Sequence, residues 1–259
     1  MSKTAHSGFA VLLLMIVAAP AGAQDDAAGW LEKMITGKAT EHYKVRLAAD
    51  LNIAQEGMEA VVKMKGSLNH ASATRFHAAF EMDMTMGGVA MVMKTTTVAD
   101  GENLWIEVDS PMMGGKTVLH GSTDDLKKLD SASDANMGGL GSLGQDPIEH
   151  ITAMIGELDI TLEGVEDGRV TLRADVTDEN RSGLGDLGKL GNGLQYITLV
   201  LDEKKAMPLR LEIGGEQPLL TMNFTDYEFF GAGQVIDSDY AYTPPDGVPV
   251  RDIGTMFGR

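Results

Sequence analysis

Residues 80–96 read FEMDMTMGGVAMVMKTT, with five methionines in seventeen positions. Met82, Met84 and Met86 alternate with Glu81, Asp83 and Thr85, and a second run carries Met91 and Met93. Alternation at period two marks a strand with one dry face and one wet face. Gly87-Gly88 between the runs is a two-residue hairpin turn. Closing the hairpin there sets Met84 opposite Met91 and Met82 opposite Met93, with Cβ atoms about 4.5–5.5 Å apart. The five methionines form one patch.

Working outward, the same period holds on both sides. Phe76, Ala78 and Phe80 continue the dry face, while Arg75 and His77 point the other way. Before them, Val45, Leu47, Ala49, Leu51 and Ile53 alternate with charged and polar neighbours. A turn at Gln55-Glu56-Gly57 then leads to Met58, Ala60, Val62, Met64 and Leu68. Further strands are predicted over 104–108, 117–120, 158–163, 169–176, 195–201, 209–213 and 219–229, and a last short one over 239–243.

Helical spacing appears twice. Trp30, Leu31, Met34 and Ile35 predict a short amphipathic helix over 27–35, with Gly37 as its stop signal. Asp146-Pro147 opens a second one carrying Ile148, Ile151, Ile155 and Leu158, with proline at the first helical position. Thr123 with Asp124, Asp125, Leu126 and Leu129 reads as a short capped helix. About ten or eleven antiparallel strands without βαβ alternation make the chain mainly β. Strands apolar on one side only fit a single curved sheet, and a sandwich would read alike.

Two glycine-leucine segments interrupt the strands: MGGLGSLGQ over 137–145 and SGLGDLGKLGNG over 182–193. Leu140 and Leu143 in the first match Leu184, Leu187 and Leu190 in the second. They read either as surface loops with docked leucines or as mobile lids over an apolar mouth.

The N-terminus has the parts of a secretory signal. Lys3 supplies the positive charge, residues 9–19 are apolar, and Ala21-Gly22-Ala23 is an A-x-A cleavage signal. Residues 1–23 are therefore expected to be removed, leaving 24–259 as one periplasmic domain. Cysteine is absent, which excludes disulfides, thiolate ligands and a lipidated cysteine at the cleavage site. The 38 acidic against 21 basic side chains, a formal charge of −17, repel nucleic acid.

Catalytic patterns are missing. Gly115-Lys116-Thr117 imitates the end of a phosphate loop, but Ser110 stands where its first glycine belongs and the context is strand-turn-strand. Neither H-E-x-x-H nor G-x-S-x-G occurs, and the six histidines are scattered. The chain reads as a non-enzyme without cofactor or resident metal. Three readings remain for the methionine hairpin. It is ordinary core, a wall facing an apolar ligand, or a thioether site for Cu(I).

Several motifs resemble the LolA/LolB-like lipoprotein-carrier superfamily, which includes the LppX/LprG-type lipid carriers. The signal peptide, the short first helix and the meander of strands fit it. So do Ala99-Asp100-Gly101-Glu102-Asn103-Leu104-Trp105, similar to the family's "dG..lW" turn, and Asp146-Pro147. The ending NFTDYEFFGAGQVIDSDYAYTPPDGVPV places Tyr240, Tyr242, Pro245, Gly247, Val248 and Val250 on the family's closing pattern. The resemblance implies an open β half-barrel that holds acyl chains of lipoproteins or lipids, lidded by helix and loops. The expected wall is Val62, Met64, Phe76, Phe80, Met82, Met84, Met86, Met91 and Met93. The expected lid is Trp30, Met34, Leu140, Leu143, Leu184, Leu187 and Leu190. Also expected are a transport partner in the inner or outer membrane and a monomeric state. A sensor of the same fold acting on a membrane-protein partner is the second expectation.

N-terminal sequencing of the exported protein should find Gln24, or a residue or two from it, as the first residue. Met1 retained in a membrane fraction would refute the signal.

Overall fold

The computed structural model describes residues 23–40, 42–55, 58–111, 114–125, 151, 155, 158–181 and 193–256. Residues 1–22 of the expected signal, the expected helix start at Asp146-Pro147 and Leu140, Leu143, Leu184, Leu187 and Leu190 lie outside these.

Helix α1 (Ala23–Thr40) leads into six strands in meander order. They are β1 (His42–Gln55), β2 (Met58–Ser72), β3 (Arg75–Met86), β4 (Val89–Asp100), β5 (Asn103–Ser110) and β6 (Gly115–Ser122). The second half holds β7 (Ile160–Glu166), β8 (Arg169–Asp175), β9 (Tyr196–Asp202), β10 (Pro208–Gly214) and β11 (Pro218–Phe230), and β12 (Val250–Asp252) closes the series. All twelve join one sheet in the order β12-β6-β5-β4-β3-β2-β1-β11-β10-β9-β8-β7. Its two edge strands, β12 and β7, do not pair, so the sheet stays open. One sheet, not two, settles the sandwich alternative. The open sheet with its first helix on the apolar face is the half-barrel layout that the sequence motifs imply.

Local chemistry explains the turns. Gly87 and Gly88 take φ of 57° and 82°, the left-handed pair that a tight hairpin requires. Asp100 closes the β4–β5 turn by accepting from the backbone N–H of Asn103 at 2.7 Å and of Glu102 at 3.0 Å. Burial pushes this carboxyl up, but those donors outweigh it and hold it below the ordinary range. The "dG..lW" resemblance thus has a physical content: an aspartate that caps the turn ahead of Trp105.

Three sequence expectations need correction. Helix α1 is longer than 27–35 at both ends, and Gly37 sits within it instead of stopping it. A Cβ at Gly37 would lie 3.4 Å from the Lys205 carbonyl oxygen, so the glycine lets the helix pass close to the β9–β10 turn. The strand expected over 239–243 is a 3-10 turn at Asp237–Tyr240 followed by unpaired extended chain. Tyr240 and Tyr242 spend their side chains on the outer face of the sheet, and Pro244, Pro245 and Pro249 offer no N–H to a ladder. The last strand is instead β12, and its pairing with β6 is parallel where all pairs were expected antiparallel.

The core lies on the inner face. Tyr43, Val45 and Leu47 of β1, Phe76, Ala78 and Phe80 of β3, and Ile197, Leu199 and Leu201 of β9 are buried together with Met34 of α1. Ile151 and Ile155, both helical and each 2% exposed, join the same cluster. Across the β1–β2–β3 register, Leu47, Gly66 and Phe80 form one row. A Cβ on Gly66 would lie 2.2 Å from the Ala79 carbonyl oxygen and 2.3 Å from Phe80 Cδ1, because the phenyl ring lies over the glycine. Gly66→Ala should therefore cost about 1–3 kcal/mol by overpacking. Gly164→Ala, where a Cβ meets nothing within 4 Å, should change stability by less than about 0.5 kcal/mol. Urea unfolding of both variants checks the contrast.

Candidate functional site

Strand parity sorts the sheet into two unlike faces. From β2 to β4, successive rows run Ala78–Leu68, Phe80–Gly66, Met82–Met64 and Met84–Val62 on the inner side, and the register continues to Met86 opposite Ala60. Opposite them on β4 stand Thr97, Thr95, Met93, Met91 and Val89. The predicted pairs Met84 with Met91 and Met82 with Met93 are those of the register. No Asp, Glu, Lys or Arg occupies an inward position of β1, β2, β3 or β4 among the described residues.

The wall residues divide by depth. Phe76 and Phe80 are 3% and 7% exposed and belong to the core. Met64 and Met93 are partly buried and pack against that core. Val62, Met82, Met84 and Met91 are half-buried, nearer the hairpin tip. Met86 is placed by register between Ala60 and Val89. The inner face thus grades from sealed aromatic core to half-open thioethers without a polar break at β3.

Of the expected lid, α1 supplies two members. Met34 is fully buried and Trp30 is half-buried against the core, with the Lys33 ammonium 4.0 Å from its ring.

Sequence reading missed a methionine that joins the same inward rows on the far side of β1. Met222 of β11 stands opposite Ala49, and Ala49 opposite Met64. One row therefore runs Met222–Ala49–Met64–Met82–Met93. The next runs Leu220–Leu51–Val62–Met84–Met91. The alternation of Leu220, Met222 and Phe224 carried the parity, but no local signal reveals that β11 pairs with a strand as distant in the chain as β1.

The outer face is ionic. Glu81 lies between Lys65 at 2.9 Å and Lys94 at 3.3 Å, its direct cross-strand neighbours. Hydrogen bonds from Lys65 and then Lys94 hold its carboxyl below the ordinary range. Arg46 and Arg75 also face out, paired with Asp226 and Asp237. The segment after β11 straps this face. Tyr240 donates to Asn69 at 2.9 Å, Tyr242 donates to Glu107 at 2.6 Å, and Trp105 stacks on His120 with the Tyr242 ring beside it. Between strap and sheet lies an open groove of about 1040 Å³, lined by Lys44, Arg46, Asn69, His77, Asp226 and Asp239 among others. Both of its basic side chains already pair with its carboxylates, Lys44 with Asp239 at 3.2 Å and Arg46 with Asp226 at 3.4 Å. It is a poor place for an apolar ligand.

The hairpin tip outruns its neighbour. The β4–β5 ladder begins at Lys94 opposite Asp109, so Val89 to Met93 pair with β3 on one side only among the described residues. Val89 is 61% and Val92 44% exposed.

If the patch is a wall and not a copper site, the Met84→Leu/Met91→Leu double variant should lose less than about 1.5 kcal/mol per position. Neither protein should bind Cu(I) in a fixed stoichiometry. One tight site present in wild type and lost in the variant would reverse the assignment.

No protein-family model matches the chain, and no curated protein matches it. In structure it is similar to LprF from Mycobacterium bovis, at 14% identity and a TM-score of 0.47, over 79% of this chain and 94% of that one. It is also similar to MucB of the Pseudomonas aeruginosa MucA/MucB complex, at 13% identity and a TM-score of 0.35, over 84% of this chain and 61% of that one. A putative outer membrane lipoprotein-sorting protein domain from Vibrio parahaemolyticus matches at 12% identity and a TM-score of 0.28, over 83% and 97%. At these identities and TM-scores the likeness is one of sheet outline.

Proposed function

We propose that the chain is an exported, non-enzymatic binding protein that holds acyl chains of lipids or lipoproteins against the inner face of its sheet, as a carrier in the periplasm. The observation that carries this reading is the inner face of β3 and its neighbours. It continues from buried Phe76 and Phe80 to half-exposed Met82, Met84 and Met91 without one charged side chain. An acyl chain laid along it gains about 0.8 kcal/mol per CH₂ by burial alone. Thioethers adapt to variable chain shapes, as a carrier of mixed cargo requires. In this reading residues 1–23 are the export signal, 24–259 form one domain, and α1 with Trp30 and Met34 closes the wall. Leu140, Leu143, Leu184, Leu187 and Leu190 would complete the lid. The finer role is delivery of that cargo toward the outer membrane through a membrane partner.

The edge of β4 favours a second reading. A strand edge five residues long, without proline or charge, is a template for an extended chain. An interaction protein that takes a partner's strand along Val89 to Met93 would use it. Under that reading, charges placed at Ala90 and Val92 would abolish partner binding and leave acyl binding alone.

A charge in the wall separates the readings. A carboxylate there must be desolvated or must draw water in. Met84→Glu should reduce binding of a fluorescent fatty acid by at least about tenfold. Asp83→Lys, on the outer face of the same strand, should change it by less than about twofold. Titration of both variants beside wild type checks this; no saturable binding by wild type would overturn the carrier reading.

A further inference from the structure

Two buried hydroxyls of β4 interrupt its apolar inner face. Thr95 and Thr97 of β4 are 2% and 0% exposed, and neither Oγ1 has a hydrogen-bond partner among the described residues. Both occupy inward positions. Thr95 lies between Phe80 and Val108, and Thr97 between Ala78 and Ile106. Buried hydroxyls are normally paired, and a strand facing an apolar core is better served by valine, which has the same shape without the cost. Two of them, two residues apart on one strand and so ~6.8 Å apart, call for an acceptor that the described residues do not supply.

Their surroundings suit an entering group. The Phe80 ring lies over Gly66, toward β2 and away from Thr95. The β3 register partner of Thr97 is Ala78, whose side chain is a single methyl. The next inward residues along β4 are Met93 and Met91, so the hydroxyls sit at the deep end of the methionine wall. At 2% and 0% exposure the two side chains are covered, so an acceptor reaches them only as the covering side chains give way.

We propose that Thr95 and Thr97 donate hydrogen bonds to the ester carbonyl oxygens of a bound acylglycerol, making the inner face a site for esterified acyl chains and not for hydrocarbon alone. The proposal rests on the acyl-binding reading above and deepens it. Adjacent ester carbonyls of a diacylglycerol unit fall within reach of two donors at this spacing, while the two chains lie along the methionine rows. A free diacylglycerol lipid and the diacylglyceryl group of a lipoprotein share this chemistry.

The test compares a short-chain diacylglycerol with the dialkylglycerol ether of the same chain length, on the mature wild-type chain and on Thr95→Val/Thr97→Val. Wild type should bind the ester more tightly than the ether, by about tenfold for two neutral hydrogen bonds. The double variant should lose that preference while keeping its affinity for the ether, and its empty form should melt no lower than wild type. If both ligands bind but the variant retains the ester preference, or loses affinity for both alike, the hydroxyls do not read the ester. If wild type binds neither ligand, the acyl-binding reading falls with it. A synthetic diacylglyceryl-cysteine peptide in place of the free lipid tells the two sources apart, since a cargo lipoprotein should bind at least as well through the same hydroxyls.

Discussion

The two-residue turn at Gly87-Gly88 governs the rest of the inner face. Side chains on a strand alternate, so a slip of one residue would turn the inward set of the slipped strand outward and its charges inward. Both glycines hold left-handed φ values that side chains rarely adopt, which pins the pairing at Met86 opposite Val89. The ionic triplet of Lys65, Glu81 and Lys94 secures the same register from the outer side. Turn and triplet agree, and the consequence is a face on which Met64, Met82 and Met93 fall in one row.

Depth divides labour along that face. Where contact is permanent, the chain uses rigid shapes: Phe80 lies over Gly66, Leu68 beside Ala78 and Leu104 beside Ala99. Where contact with an occupant would change, it uses methionine, whose three rotatable bonds refill irregular space at little cost. A wall of β-branched residues would present one fixed relief. The gradient from phenylalanine to methionine thus runs from rigid to adaptable side chains within one strand and without a change of parity, as the proposed function requires.

Much of this is legible locally, because strand parity and tight turns are properties of neighbouring residues. The alternation over β1 to β5, the Gly87-Gly88 turn and the outward direction of Arg75 are all local. What depends on distant pairing is not legible. Met222 joins the wall only because β11 docks beside β1, and nothing near Met222 announces that. The final strand is misplaced in the sequence for a related reason. Residues 239–243 alternate like a strand, but their aromatic side chains fasten onto Asn69, Trp105 and Glu107, and the ladder forms later, at Val250–Asp252. Thr95 and Thr97 look like ordinary strand residues until burial leaves their hydroxyls without partners among the described residues.

Charge separation between the faces makes the two sides respond to different conditions. Glu81 and Glu107 on the outer face are both held below the ordinary carboxylate range. Lys65 and Lys94 do this for Glu81; burial raises Glu107, but the hydrogen bonds from Lys116 and Tyr242 outweigh it. A carboxyl with a lowered folded-state pKa contributes stability above its unfolded value, and that stability is lost as pH falls through the folded one. Acid and salt therefore act on the ionic rows and on the strap that Tyr242 anchors, not on the inward rows of β3 and β4, which carry no carboxylate or amine. A chain without disulfides must survive such swings on its core alone. Keeping every ion pair of these strands on the outer face leaves the strength of an inner, purely apolar grip independent of pH. It also places the inward Thr95 and Thr97 where a hydrogen bond to a ligand would meet little competition from water.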